Sequence, residues 1–165
     1  MTESPKPSRI VGIHLDDSGL PAPTPEVEQE RRVAIFDILE ENQFGLVERS
    51  GRIPSPGPYR LQLSVVEGRL VFDVRTEDDR PAAAFHLALS PFRQVIKDYA
   101  DICTAYFDAV KRLPPARIEV IDMGRRGIHD EGARLLLERL DGKVETDMAT
   151  ARRLFTLVCV LHFKG

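Results

Sequence analysis

Gly124-Arg125-Arg126-Gly127, followed by Ile128-His129, sets two guanidinium groups between two glycines just before a helical pattern. Glycines let a backbone approach an anion closely, a helix N-terminus presents unpaired N–H groups, and the arginine fork matches phosphate or carboxylate oxygens. Those residue types in that order predict an anion site built on Arg125, Arg126 and His129. A structural reading competes with it: Asp122 pairs with Arg126 one turn later, His129 or Asp130 caps the helix, and the glycines make a turn. Arg153, beside Arg152 in a later helical pattern, joins the same site if the two helices lie side by side. Arginines near a helix N-terminus oppose its dipole, so an acidic ligand, a protein partner or the nearby Glu145 and Asp147 must compensate them.

The other chemistry-bearing residues are sparser. His14 stands near Asp16 and Asp17, but no second histidine or cysteine lies at ligand spacing, so no metal is expected. His86 falls within a strand pattern and His162 within an apolar run, where histidines usually serve as packed or edge groups. Cys103 and Cys159 sit in apolar runs and read as small hydrophobes. The chain has no G-x-S-x-G elbow, Walker loop, dinucleotide fingerprint, H-E-x-x-H or C-x-x-C, and no cofactor is expected.

The elements that must position these groups follow from periodicity. Met1–Ser8 is polar and proline-bearing and is expected to be a flexible tail, with residues 9–165 forming a single α+β domain. Ile10–Leu15 alternates like a strand. Thr24 and Pro25 open a helix reaching about Asn42, with Val27, Ala34, Ile35, Ile38 and Leu39 on one face. Val33 and Phe36 lie off that face and cover either a second buried surface or a subunit contact. Phe44–Glu48 reads as a short strand and Ser50–Pro58 as an irregular exposed loop. Tyr59–Val66 and Arg69–Thr76, joined by Glu67-Gly68, form an antiparallel hairpin, and Ala82–Leu89 extends it into a meander.

Ser90-Pro91 reads as a capped helix start, followed by a stripe from Phe92 to Val110 that packs on the sheet. Ala116–Met123 fits either periodicity, with helix favoured after Pro114-Pro115. His129–Leu140 is a further helical pattern stopped at Gly142. Asp147 caps a last helix whose Leu154–Phe163 stretch is apolar nearly all round and must be buried, although a run of that length also fits a buried strand. The fold class is α+β: an antiparallel meander packed against a helical C-terminal half.

Charge narrows the classes of partner. The formal net charge of -3 gives no overall attraction to nucleic acid or an anionic membrane. Residues 1–110 hold 12 Lys and Arg against 18 Asp and Glu, and the remainder 11 against 8, so any basic surface belongs to the C-terminal third. No apolar stretch approaches the roughly 20 residues that span a bilayer, and a cytoplasmic location without membrane contact is expected.

Ile121-Asp122-Met123-Gly124-Arg125-Arg126-Gly127-Ile128-His129 and Ala151-Arg152-Arg153-Leu154-Phe155-Thr156-Leu157-Val158-Cys159-Val160-Leu161-His162 resemble an uncharacterised family of short alphaproteobacterial proteins. Glu28–Asn42, Pro58–Phe72 and Leu89–Tyr99 carry the resemblance further along the chain. It implies a bacterial cytoplasmic setting and one fold over the whole length, and brings no activity, substrate or catalytic residue with it. The residues themselves point first to a non-enzymatic binding or regulatory domain holding an anionic ligand or acidic protein partner through Arg125, Arg126, His129 and Arg153. An enzyme acting on a phosphorylated or carboxylated small molecule, with His129 as acid or base, is the alternative. RNA or ribosome association through the basic third comes next, and a homo-oligomer is left open.

Overall fold

Two residues, Glu67 and Gly68, connect the longest strands, and both adopt positive φ (51° and 74°), the backbone that a tight hairpin turn demands. They join β3 (Tyr59–Val66) to β4 (Arg69–Thr76), and β5 (Pro81–Ala88) completes the meander. The computed structural model describes residues 8–162. The expected tail at Met1–Ser8 therefore lies, except for Ser8, outside the described residues. Alternation decides which face is buried: Leu61, Leu63, Leu70, Phe72 and Val74 point inward, each no more than 2% exposed. Phe72 pairs across the strands with Phe85, their rings stacked at 4.9 Å.

β1 (Ile10–Leu15) adds to the other edge of β3, in parallel. A parallel neighbour needs a crossover, and α1 (Pro25–Glu40) supplies it. The Thr24 side chain accepts from the Val27 N–H and Pro25 opens the first turn. At the other end Asn42 fastens the helix to the strand: its Oδ1 accepts from Ile10 N at 2.7 Å, and its Nδ2 donates to the carbonyls of Ile10 and Ile38. Ala34 and Ile38 are buried, whereas Val33 and Phe36 are 47% and 63% exposed. Among the described residues no second surface covers that pair.

α2 (Arg93–Arg112) is entered through a 3-10 turn at Ser90–Phe92. The Ser90 hydroxyl makes no capping hydrogen bond, a departure from the sequence expectation. The tight turn supplies the bond instead, the Arg93 N–H donating to the Ser90 carbonyl. α2 runs alongside α3 and shares the sheet's buried cluster through Val95, Ile96 and Tyr99.

α3 is one helix of 26 residues, Pro115–Leu140. The ambiguous Ala116–Met123 segment and the His129–Leu140 pattern are parts of it, so Gly124 and Gly127 are helical residues and not a turn. His129 and Asp130 lie mid-helix and cap nothing. Close packing explains why the helix tolerates its glycines: a Cβ on Gly132 would fall 2.2 Å from Phe155 Cζ, and one on Gly124 would fall 3.0 Å from Ile102 Cδ1. Only Gly127 among the three has open space. The helix stops where Gly142 takes φ +81°.

β6 (Val144–Thr146) pairs antiparallel with β2 (Phe44–Leu46), and the sequence reading had no β6. That two-stranded clip draws the start of α4 (Met148–His162) against the end of α1. Gln43 N donates to the buried Thr150 Oγ1 at 3.0 Å, while the Asp147 carboxylate caps the helix by accepting from Thr150 N. Leu154, Phe155, Leu157, Val158 and Cys159 are all 0% exposed, so α4 is the helix at the centre of the core. Side chains from the four-stranded sheet, the clip and all four helices form one buried cluster.

Candidate functional site

α4 lies between α1 and α3, and the three helices leave a cleft of about 600 Å³ at the α4 N-terminal half. α3 contributes Arg125, Arg126, His129 and Asp130, α4 contributes Arg152, Arg153 and Thr156, and Tyr99 of α2 reaches in beneath. Glu30 and Asp37 line it from α1, seven residues apart and so two turns along one helix face. Arg125, Arg126, His129 and Arg153 are thus brought to one cavity. The packing of α3 against α4 assembles them, in place of the expected glycine turn ahead of a helix N-terminus.

The four side chains differ in how firmly they are held. Arg125 donates twice to Asp122 Oδ1, at 3.0 and 2.6 Å, and its guanidinium lies 4.4 Å from the centre of the Tyr106 ring. Arg126 reaches the other Asp122 oxygen through Nε alone, at 3.3 Å, with 65% of its side chain exposed. Arg152 pairs with Asp130 at 2.7 Å. Arg153 donates to the Glu41 carbonyl at 3.2 Å and has no carboxylate partner among the described residues. Neither Glu145 nor Asp147 compensates the Arg152-Arg153 pair: Asp130 serves Arg152, and the Asp147 carboxylate is occupied at the α4 cap.

His129 shares a 2.8 Å hydrogen bond between Nε2 and Thr156 Oγ1, its ring packed between Tyr99 and Phe155. Burial pushes its pKa down to about 4, with Asp130 pulling up and Arg125 and Arg152 reinforcing the fall. The imidazole is therefore neutral at pH 7. Gly132, one turn further along α3, sets this geometry, because its missing side chain lets Phe155, and Thr156 beside it, come up against the helix.

Glu30 has no hydrogen bond or ion pair among the described residues. Burial raises its pKa, and Arg125, beyond ion-pair distance, only partly opposes the rise. The cysteines are free and buried; burial lifts the Cys103 thiol to about 11 and Cys159 well above the ordinary range, so neither supplies a thiolate at neutral pH. His14 and His86 are exposed and outside the cleft. Glu30, Asp37, Tyr99 and Thr156 are cleft residues that the sequence reading missed. The seven-residue interval between Glu30 and Asp37, with Ala34 between them on the buried side, was the signal that pointed to a shared face.

Residues 7–164 match the family described as Uncharacterised protein family (UPF0262). The chain belongs to this family. It is 66% identical over 158 residues to the UPF0262 protein of Ruegeria pomeroyi, covering 96% of this chain and 98% of that one. It is also 68% identical over 154 residues to a UPF0262 protein of a Jannaschia species, covering 93% and 97%. The corresponding protein of Cereibacter sphaeroides is 62% identical over 156 residues, covering 94% and 99%. The family is bacterial and of unknown function. No solved structure matches the chain. Among the described residues, no helix is long and apolar enough to cross a membrane.

Proposed function

We propose that the cleft between α1, α3 and α4 holds a small anionic group, and that the protein is a binding or regulatory domain. The observation that carries the reading is that Arg126 of α3 and Arg153 of α4 line one cavity. Arg126 is largely exposed and reaches Asp122 through Nε, and among the described residues Arg153 is matched by a carbonyl and no carboxylate. Arg125 and Arg126 share the single carboxylate of Asp122, which leaves one net positive charge on that stretch of α3, and His129 acts as a neutral wall that holds Thr156 in place. A histidine with a pKa of about 4 suits that role better than proton transfer at neutral pH, which favours binding over the catalytic alternative. The reading takes residues 9–165 as one folding unit in the cytoplasm, where two unpaired cysteines are the usual state.

Thermal denaturation with inorganic phosphate, pyrophosphate or citrate tests it. A ligand bound only by the native state adds about 2.7 kcal/mol at about 100 times its Kd, which for a chain of this size raises Tm by roughly 5 to 10 °C. A saturable rise with at least one of these anions is expected in the parent and its loss in the Arg126→Gln/Arg153→Gln variant. An equal rise in both proteins, or none in either, contradicts the proposal.

A further inference from the structure

The walls of the cleft carry opposite charge, and the link the described residues make between them is a neutral one, Arg153 donating to the Glu41 carbonyl at the end of α1. Among the described residues no carboxylate–guanidinium pair crosses the cleft: the α3 and α4 arginines take their acids from Asp122 and Asp130, on their own side. On α1, Glu28 pairs with Arg31 and Arg32 away from the cavity, while Glu30 and Asp37 line it with no ion pair among the described residues. Arginine is long enough to bridge a narrow gap, and unlike charges in a half-buried cleft attract more strongly than in water. With no ion pair across the cleft, Arg153 on one side and Glu30 and Asp37 on the other are left without a counter-charge among the described residues. The need is sharpest at Glu30, whose carboxylate loses hydration through burial and gains only a distant Arg125 in return. The lining also includes Val33 and Ala34 of α1, Ala149 of α4 and Tyr99 of α2, surfaces that suit carbon atoms and not a third charge.

Resting on the anion-binding reading, we infer that the ligand is amphoteric: a small molecule with a phosphate or carboxylate held by Arg126 and Arg153, a protonated amine held by Glu30 and Asp37, and an aliphatic spacer between. A purely anionic ligand would place its charge in a cavity whose α1 wall repels it. An amine at the far end converts that repulsion into an attraction, and a charge-assisted hydrogen bond of this kind corresponds to about tenfold or more in affinity. The same arrangement leaves inorganic phosphate and simple dicarboxylates as weaker ligands than an amphoteric one, so selectivity comes from the acidic wall and grip from the basic one.

The test is a matched series: ω-aminoalkyl phosphates and ω-aminoalkyl carboxylates with about two to six methylenes, each against the alkyl phosphate or carboxylate of the same length, titrated calorimetrically into the full chain. At one spacer length or more, the amine is expected to tighten binding by about tenfold. In Glu30→Gln/Asp37→Asn that gain should fall below about twofold, while the alkyl counterpart binds at least as well as to the parent and so reports an intact fold. If every amine binds within about twofold of its alkyl partner while the alkyl anions bind and depend on Arg126 and Arg153, the amphoteric ligand is wrong and the anion site stands. If neither series binds the parent, or binding ignores Arg126→Gln/Arg153→Gln, both are wrong.

Discussion

Acidification should weaken the fold through His129, and the size of the loss follows from its burial. The ring is held neutral between Tyr99 and Phe155 with a pKa of about 4 against an ordinary 6.5. Because the unfolded chain binds a proton more readily, stability is full above about pH 6.5 and falls as the pH drops towards about 4. At about pH 5 the loss from this group is about 2 kcal/mol, approaching about 3 kcal/mol once it is fully protonated. Glu30 works in the opposite sense, since its raised pKa makes acid favour the folded form, so the parent's total change mixes the two. Comparison with His129→Gln, which keeps a polar group opposite Thr156 and does not titrate, removes that mixture. Urea unfolding of both proteins at about pH 7.5 and pH 5 should show the parent losing roughly 2 kcal/mol more than the variant. Equal losses would refute the neutral, desolvated histidine and with it the assignment of His129 as a wall.

Two glycine substitutions should move stability in opposite directions. Gly132→Ala forces a methyl into the Phe155 ring and should cost about 1 to 3 kcal/mol, whereas Gly127→Ala meets nothing and should add up to about 1 kcal/mol; chemical denaturation reads both. Opposite signs are the point, and a stabilising Gly132→Ala would mean that α3 and α4 are not in such close contact. Asp122→Asn releases Arg125 and Arg126 from their shared acid, so phosphate affinity should rise a few-fold by calorimetry while stability drops by about 1 kcal/mol. Unchanged or weaker affinity would show that Asp122 positions the arginines more than it competes for them.

The strands were legible because period-two alternation and the Glu67-Gly68 turn are local signals, and β3 and β4 follow them residue for residue. The apolar stripe of α2 and the nearly uniform apolarity of α4 were equally local. The course of α3 was not. Two glycines and two arginines read as a turn by propensity, but Gly124 packs close against the end of Ile102, Gly132 is demanded by Phe155, and these are neighbours on other helices that no local pattern announces. β2 lies within the strand expected at Phe44–Glu48, but its partner β6 escaped, three residues being too short to alternate detectably and about 100 residues away in the chain. Arg125, Arg126, His129 and Arg153 were chosen for chemistry that a glycine turn would have arranged. The chain gathers them by packing α3 against α4, and it adds an acidic α1 wall that only tertiary structure brings into place.

Nitrogen-15 NMR of the full chain, following backbone amides and arginine Nε–H groups during a phosphate or pyrophosphate titration at low salt, tests the anion site most directly. Saturable shifts concentrated at Arg126, Arg153 and the neighbouring amides of α3 and α4, and lost in Arg126→Gln/Arg153→Gln, are the expected result. Shifts that never saturate, that spread over exposed arginines such as Arg32 and Arg80, or that persist in the double variant would contradict an anion site in this cleft.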